Sequence, residues 1–93
     1  MTIEVKLFAT LRMHLGVASV SIETDSPPTI KQMIDMISER IGEDIREWLV
    51  EPDGSVRMGT MILLEGHNML HMDGLDTLVT VKDVAVFPPA GGG

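Results

Sequence analysis

The chain reads as one α+β domain, a small sheet with one main helix laid across it. Three observations predict this: two alternating apolar–polar runs near the start, one amphipathic helical stretch with both ends marked, and apolar runs over 61–64 and 78–87. Ninety-three residues suit a single core. The expected division is a body over 1–87 and a protruding tail over 88–93.

Ile3-Glu4-Val5-Lys6-Leu7 alternates as a half-buried strand does, with Ile3, Val5 and Leu7 toward the core. Residues 10–16 read as a loop with Leu11 and Leu15 tucked beneath it, and Ala18 to Glu23 alternates again. The two runs predict an antiparallel pair joined by more than a tight turn. Asp25-Ser26-Pro27-Pro28 breaks the second strand. Thr29 and Gln32 then form a Thr-x-x-Gln capping box. Ile30, Met33, Ile34, Ile37 and Ile41 follow at helical spacing, and Gly42 is placed to stop the helix.

Glu43 to Leu49 reads as a short second helical piece, with Ile45, Trp48 and Leu49 on one face and the tryptophan as a core anchor. Pro52-Asp53-Gly54 marks a turn, and the apolar run Met61-Ile62-Leu63-Leu64 marks a well-buried strand. Gly66-His67-Asn68 and Asp73-Gly74 read as further turns, with Leu75 and Leu78 pointing inward. The final strand is expected to run from Leu78 to Phe87. With three aromatic residues in the whole chain, the eight methionines are expected to fill gaps in the core.

Fourteen acidic against seven basic residues leave a net charge of −7. Such a surface argues against binding nucleic acid and predicts a basic patch on any partner. The absence of cysteine excludes a disulfide framework and thiolate catalysis. No apolar stretch approaches the roughly 18 residues of a membrane span, so a cytoplasmic protein with no membrane partner is expected.

Candidate catalytic constellations are thin. His67 and His71 stand four apart, but Gly66 and Asn68 point to a turn or strand rather than a helix, so no metal site is expected. No phosphate loop, nucleophile elbow or paired carboxylates in a cleft can be traced. By itself the chain does not read as an enzyme.

The ending Phe87-Pro88-Pro89-Ala90-Gly91-Gly92-Gly93 is different. The prolines stiffen the exit from the last strand, and glycines admit the backbone to a narrow channel. Six residues reach at most about 20 Å, far enough to carry a carboxylate into another protein's cleft. A carboxylate is a poor electrophile, but joined to a nucleotide phosphate it becomes an anhydride that sulfur or nitrogen can attack. Gly93 is the candidate reactive residue and Gly92 gives it clearance. Mobility is expected from Gly91 onward.

Leu7-Phe8-Ala9-Thr10-Leu11-Arg12, the stretch from Gly66-His67-Asn68 to Asp73-Gly74-Leu75-Asp76-Thr77, and the Phe87 to Gly93 ending together resemble the MoaD/ThiS sulfur carriers. The match is closest to the small subunit of molybdopterin synthase, MoaD, and spans Ile3 to Gly93. It implies a ubiquitin-like β-grasp fold with a mixed sheet. It also implies that a MoeB/ThiF-like activating enzyme adenylates Gly93 with ATP, and that a sulfur donor protein converts it to a thiocarboxylate. No cofactor would be bound permanently. The tail would then enter the large subunit, MoaE, with Phe87, Pro88, Pro89, Ala90 and Gly91 seating the arm. An alternative is a ubiquitin-like modifier joined through Gly93 to target lysines.

The chain departs from the family pattern at three places. Gly91 occupies a usual alanine position, Val86 stands where an aromatic often precedes Phe87, and Thr80-Val81-Lys82-Asp83 replaces an Asp-Gly-Asp turn.

Overall fold

The computed structural model describes residues 1–89; Ala90, Gly91, Gly92 and Gly93, and with them the expectations for the outer tail, lie outside the described residues. The elements are β1 (Thr2–Leu7), α1 (Ala9–Leu15), β2 (Ser19–Glu23), α2 (Ile30–Ile41), α3 (Arg46–Leu49), β3 (Met61–Leu64), β4 (His67–Asn68) and β5 (Asp83–Phe87). Two single 3-10 turns, Met69–His71 and Gly74–Asp76, lie between β4 and β5. The sheet order is β2-β1-β5-β3-β4. β1 and β5 run parallel at its centre and every other pairing is antiparallel, so the sheet is mixed.

Alternation decides the two faces. Ile3, Val5 and Leu7 of β1, Val20 and Ile22 of β2, Ile62 and Leu64 of β3, and Val84 and Val86 of β5 are all buried. They meet Ile30, Met33, Ile34 and Ile37 of α2. The helix begins as expected: the Thr29 hydroxyl accepts from the Gln32 N–H, and the Gln32 side chain accepts from the Thr29 N–H. It ends at Gly42, whose φ of 86° is the left-handed conformation that a glycine adopts without a Cβ penalty.

Several expectations are corrected. Residues 10–16 are not a loop: Ala9–Leu15 is helical, with Leu11 buried and Leu15 packed against the core. Phe8 provides no side-chain cap, which is why the sequence carries no start signal. The turn after β3 is Glu65-Gly66, with φ of 47° and 89°, and His67-Asn68 is paired as β4. Two central residues with positive φ suit a two-residue hairpin.

The final strand starts at Asp83, not Leu78. Leu78 is exposed, and Val79 and Thr77 take the inward positions. The segment is tied to the start of α2, where Ile30 N–H donates to Thr77 O and Val79 N–H to Pro28 O. Those two bonds set which side chains turn inward. Trp48 is only half-buried and packs on the His14 ring at 4.9 Å between centroids. Of the methionines, Met33 and Met69 are fully buried, whereas Met13 and Met58 are 82% and 96% exposed. Gap-filling therefore describes only part of that set.

The strand at Met61–Leu64 is buried on one face only, with Ile62 and Leu64 inside and Met61 and Leu63 half-covered. A continuous apolar run would suit a strand covered on both faces. Here it leaves apolar side chains on the face opposite α2.

Candidate functional site

That open face is graded along the strands. The register sets Phe87 beside Met61, and the next row joins Lys6, Ala85 and Leu63. A third row joins Ser21, Glu4 and Asp83, and a last pair is Thr2 with Glu23. The face is apolar where β5 ends and acidic at the far end.

Phe8 completes the apolar row. Its N–H donates to Val86 O at 3.1 Å, continuing the parallel ladder one residue past β1. Its ring lies on Phe87, centroids 4.3 Å apart and planes 9° from parallel. Both rings are half-buried. Stacked aromatics contribute about 0.5–1.5 kcal/mol beyond their area, so the pair fixes the direction in which the chain leaves β5.

Pro88 is buried and Pro89 half-buried. Gly59, at φ 93°, lies under Pro89, where a Cβ would come within 3.5 Å of the proline Cα and Cβ. The first two residues of the expected arm are thus seated on the body. Beside them runs an open groove of 470 Å³ lined by Thr10, His14, Glu43, Glu47, Trp48 and Arg57. His14 Nε2 and Glu43 Oε2 lie 2.6 Å apart across it. Arg57 Nε donates to Glu47 O at 2.8 Å, and its guanidinium pairs with Glu51.

At the acidic end, Ser21 Oγ donates to Glu4 Oε2 at 2.6 Å. This bond, with a smaller contribution from Ser19, holds the Glu4 carboxyl below its ordinary range. The hydrogen bond thus favours the charged form of Glu4.

The predicted site residues separate into two groups. Phe87, Pro88 and Pro89 come together at the end of the central strand; Ala90, Gly91, Gly92 and Gly93 lie outside the described residues. His67 and His71 are exposed and line a small opening with Met72. Among the described residues no three His, Cys, Asp or Glu side chains are grouped to hold a metal. Phe8 and Met61 were missed as site residues by sequence reasoning; the only signal was that β1 alternation, carried past Lys6, places Phe8 on the open face.

A mixed sheet crossed by α2, with its central strand running out into a proline and glycine segment, is a ubiquitin-like β-grasp. The ThiS family profile matches residues 5–93, and the chain belongs to that family of ubiquitin-like sulfur carriers. A relative in Haloferax volcanii, small archaeal modifier protein 3, is 31% identical, with all of both chains covered. A proposed sulfur carrier protein of Archaeoglobus fulgidus is 30% identical, covering 89% of this chain and 96% of its own. The crystal structure of SAMP1 from Haloferax volcanii has the same fold, with a TM-score of 0.78 at 23% identity and all of both chains covered. The family therefore defines the chain as a sulfur carrier or modifier. No helix among the described residues is long and apolar enough to cross a membrane.

Proposed function

We propose that this chain is a sulfur carrier working through Gly93, as the small subunit of molybdopterin synthase in the cytoplasm. It is a carrier rather than an enzyme by itself. An activating enzyme of the MoeB/ThiF kind joins the Gly93 carboxylate to the phosphate of AMP, releasing pyrophosphate from ATP. A persulfide on a sulfur donor protein then attacks the acyl carbon and expels AMP, and a thiol cleaves the resulting S–S bond, leaving the Gly93 thiocarboxylate and a disulfide. The large subunit, MoaE, receives the tail and directs that sulfur to a pterin precursor. No nucleic acid, membrane, metal or permanently bound cofactor takes part.

The single observation that supports this reading best is the stacked Phe8–Phe87 pair leading into seated prolines at the end of β5. It gives a partner an apolar landing next to the tail. The acidic residues Glu4, Glu23 and Asp83 lie further along the same face, and they favour a partner with a basic patch set apart from its tail channel. Gly92 supplies clearance, and Ala90 and Gly91 join Phe87, Pro88 and Pro89 in binding the partner.

A second reading is supported by the full-length relative named as a modifier: the same acyl-adenylate ends as an isopeptide bond to a lysine. Mass spectrometry of the C-terminal peptide, recovered from native cells, separates the two. Replacement of one oxygen by sulfur at Gly93 supports the carrier, and branched peptides joining Gly93 to lysines support the modifier. Removal of Gly92 and Gly93 should abolish either outcome without changing thermal stability. A truncated chain that still sustains transfer would overturn both.

A further inference from the structure

The sheet has two free edges, and they are treated differently. β4 is only two residues long, a short edge that offers little to pair with. β2 keeps five consecutive register pairs with β1 and no bulge. It contains neither proline nor lysine, the residues that commonly protect an edge.

The direction of its backbone groups follows from the ladder. Leu7 N–H donates to Ala18 O, and Thr24 N–H to Met1 O. In an antiparallel pair, alternate residues exchange both bonds, so Ala18, Val20, Ile22 and Thr24 face β1. Ser19, Ser21 and Glu23 therefore point their N–H and C=O groups away from the sheet. All three are exposed.

Between this edge and α2 runs a groove. Two openings, of 420 and 410 Å³, share Ser21 and Arg40. Met36 and Ile41 of α2 give it apolar walls, and Glu23 and Glu39 lie at one end. Arg40 is exposed and makes no ion pair among the described residues. In a chain of net charge −7, it is a cation placed halfway along the groove.

We propose that the β2 edge is a docking site for an extended segment of another protein, which adds as a sixth strand. Its alternate aliphatic side chains would lie against Met36 and Ile41, with a carboxylate opposite Arg40 and a cation near Glu23 and Glu39. Backbone bonds to Ser19, Ser21 and Glu23 supply the pairing, and the groove supplies selection. A second copy of this chain is the less favourable occupant. Two joined β2 edges would bring together open faces that each carry Glu4 and Glu23. The site requires nothing of the tail: β1 separates β2 from β5, a distance of about 10 Å, so both surfaces can be engaged at once.

The test uses the full ¹⁵N-labelled chain and the blocked heptapeptide Ser-Val-Ser-Asp-Ser-Val-Lys, whose valines and aspartate share one face of the strand. Saturating peptide should shift the amides of Ser19, Ser21 and Glu23 and slow their hydrogen exchange, leaving Phe8 and Phe87 unchanged. Arg40→Glu should weaken binding about tenfold, the loss of one charge-assisted contact. Because Arg40 is exposed on α2, this variant should retain the wild-type circular dichroism. Placing proline at the second valine of the peptide, which leaves the aspartate in place, should remove the protection. Three results overturn the proposal: no protection of those amides at millimolar peptide, binding unaffected by Arg40→Glu, or protection that grows with protein concentration without peptide. The last would give the edge to a second copy.

Discussion

The two faces of this sheet are made by the same strands and serve opposite ends. On the covered face, Ile3, Val5, Ile62 and Val86 are completely buried beneath α2. On the open face their neighbours Glu4, Lys6, Met61 and Phe87 are half-buried or exposed. Burial of apolar area holds the fold together at about 25 cal/mol per Å², and that contribution is concentrated on the helix side. The open face is left to vary in charge and shape along its length. In a domain this small, alternation along a strand is enough to separate stability from recognition.

The comparison breaks most visibly at Ile37. Ile37→Ala removes a fully buried side chain and should cost about 2–5 kcal/mol, measured by urea unfolding. It should leave partner affinity unchanged under conditions where the variant remains folded. If it costs under about 1 kcal/mol, the helix face is not the main source of stability.

Phe87→Ala sharpens the contrast from the other side. Losing a half-buried ring and its stack on Phe8 should cost about 1–2 kcal/mol of folding stability. Its larger effect should be on complex formation with the activating enzyme, measured by calorimetry. Equal losses in stability and binding would mean that the row is structural only.

A smaller effect is expected at the start of α2. Thr29→Ala removes the hydroxyl that accepts from Gln32 N–H and should cost about 1 kcal/mol, with thermal unfolding as the measurement. Thr29→Ser should restore most of it.

The smallest effect is electrostatic. The Ser21 hydroxyl lowers the Glu4 pKa. A carboxyl lowered by folding adds stability above its unfolded value, and that contribution is lost as pH falls through the folded value. Ser21→Ala should raise the Glu4 pKa toward its ordinary value in a side-chain NMR titration and reduce this acid-side dependence. An unchanged titration would show that another group sets the charge.

Much of the candidate site was legible before the fold. Phe87, Pro88 and Pro89 stand out because proline and glycine act on the backbone wherever they occur. Their companions Phe8 and Met61 did not, since what makes them part of the site is pairing with β5, not their own neighbours. His14 and Trp48 were similarly opaque: one stood in an expected loop and the other was expected in the core, yet they pack together beside Pro88 and Pro89.

By itself the sequence determined the elements whose causes lie within a turn or a strand. The α2 capping box, its apolar stripe and its Gly42 stop are local, as are the alternating faces of β1 and β2. Tertiary structure alone decided that β5 inserts parallel to β1, that Val79 rather than Leu78 turns inward, and that Phe8 stacks on Phe87. Each of these joins segments far apart in the chain. Their register is chosen by the total burial and backbone bonding of the assembled sheet, and no short window of residues carries that sum.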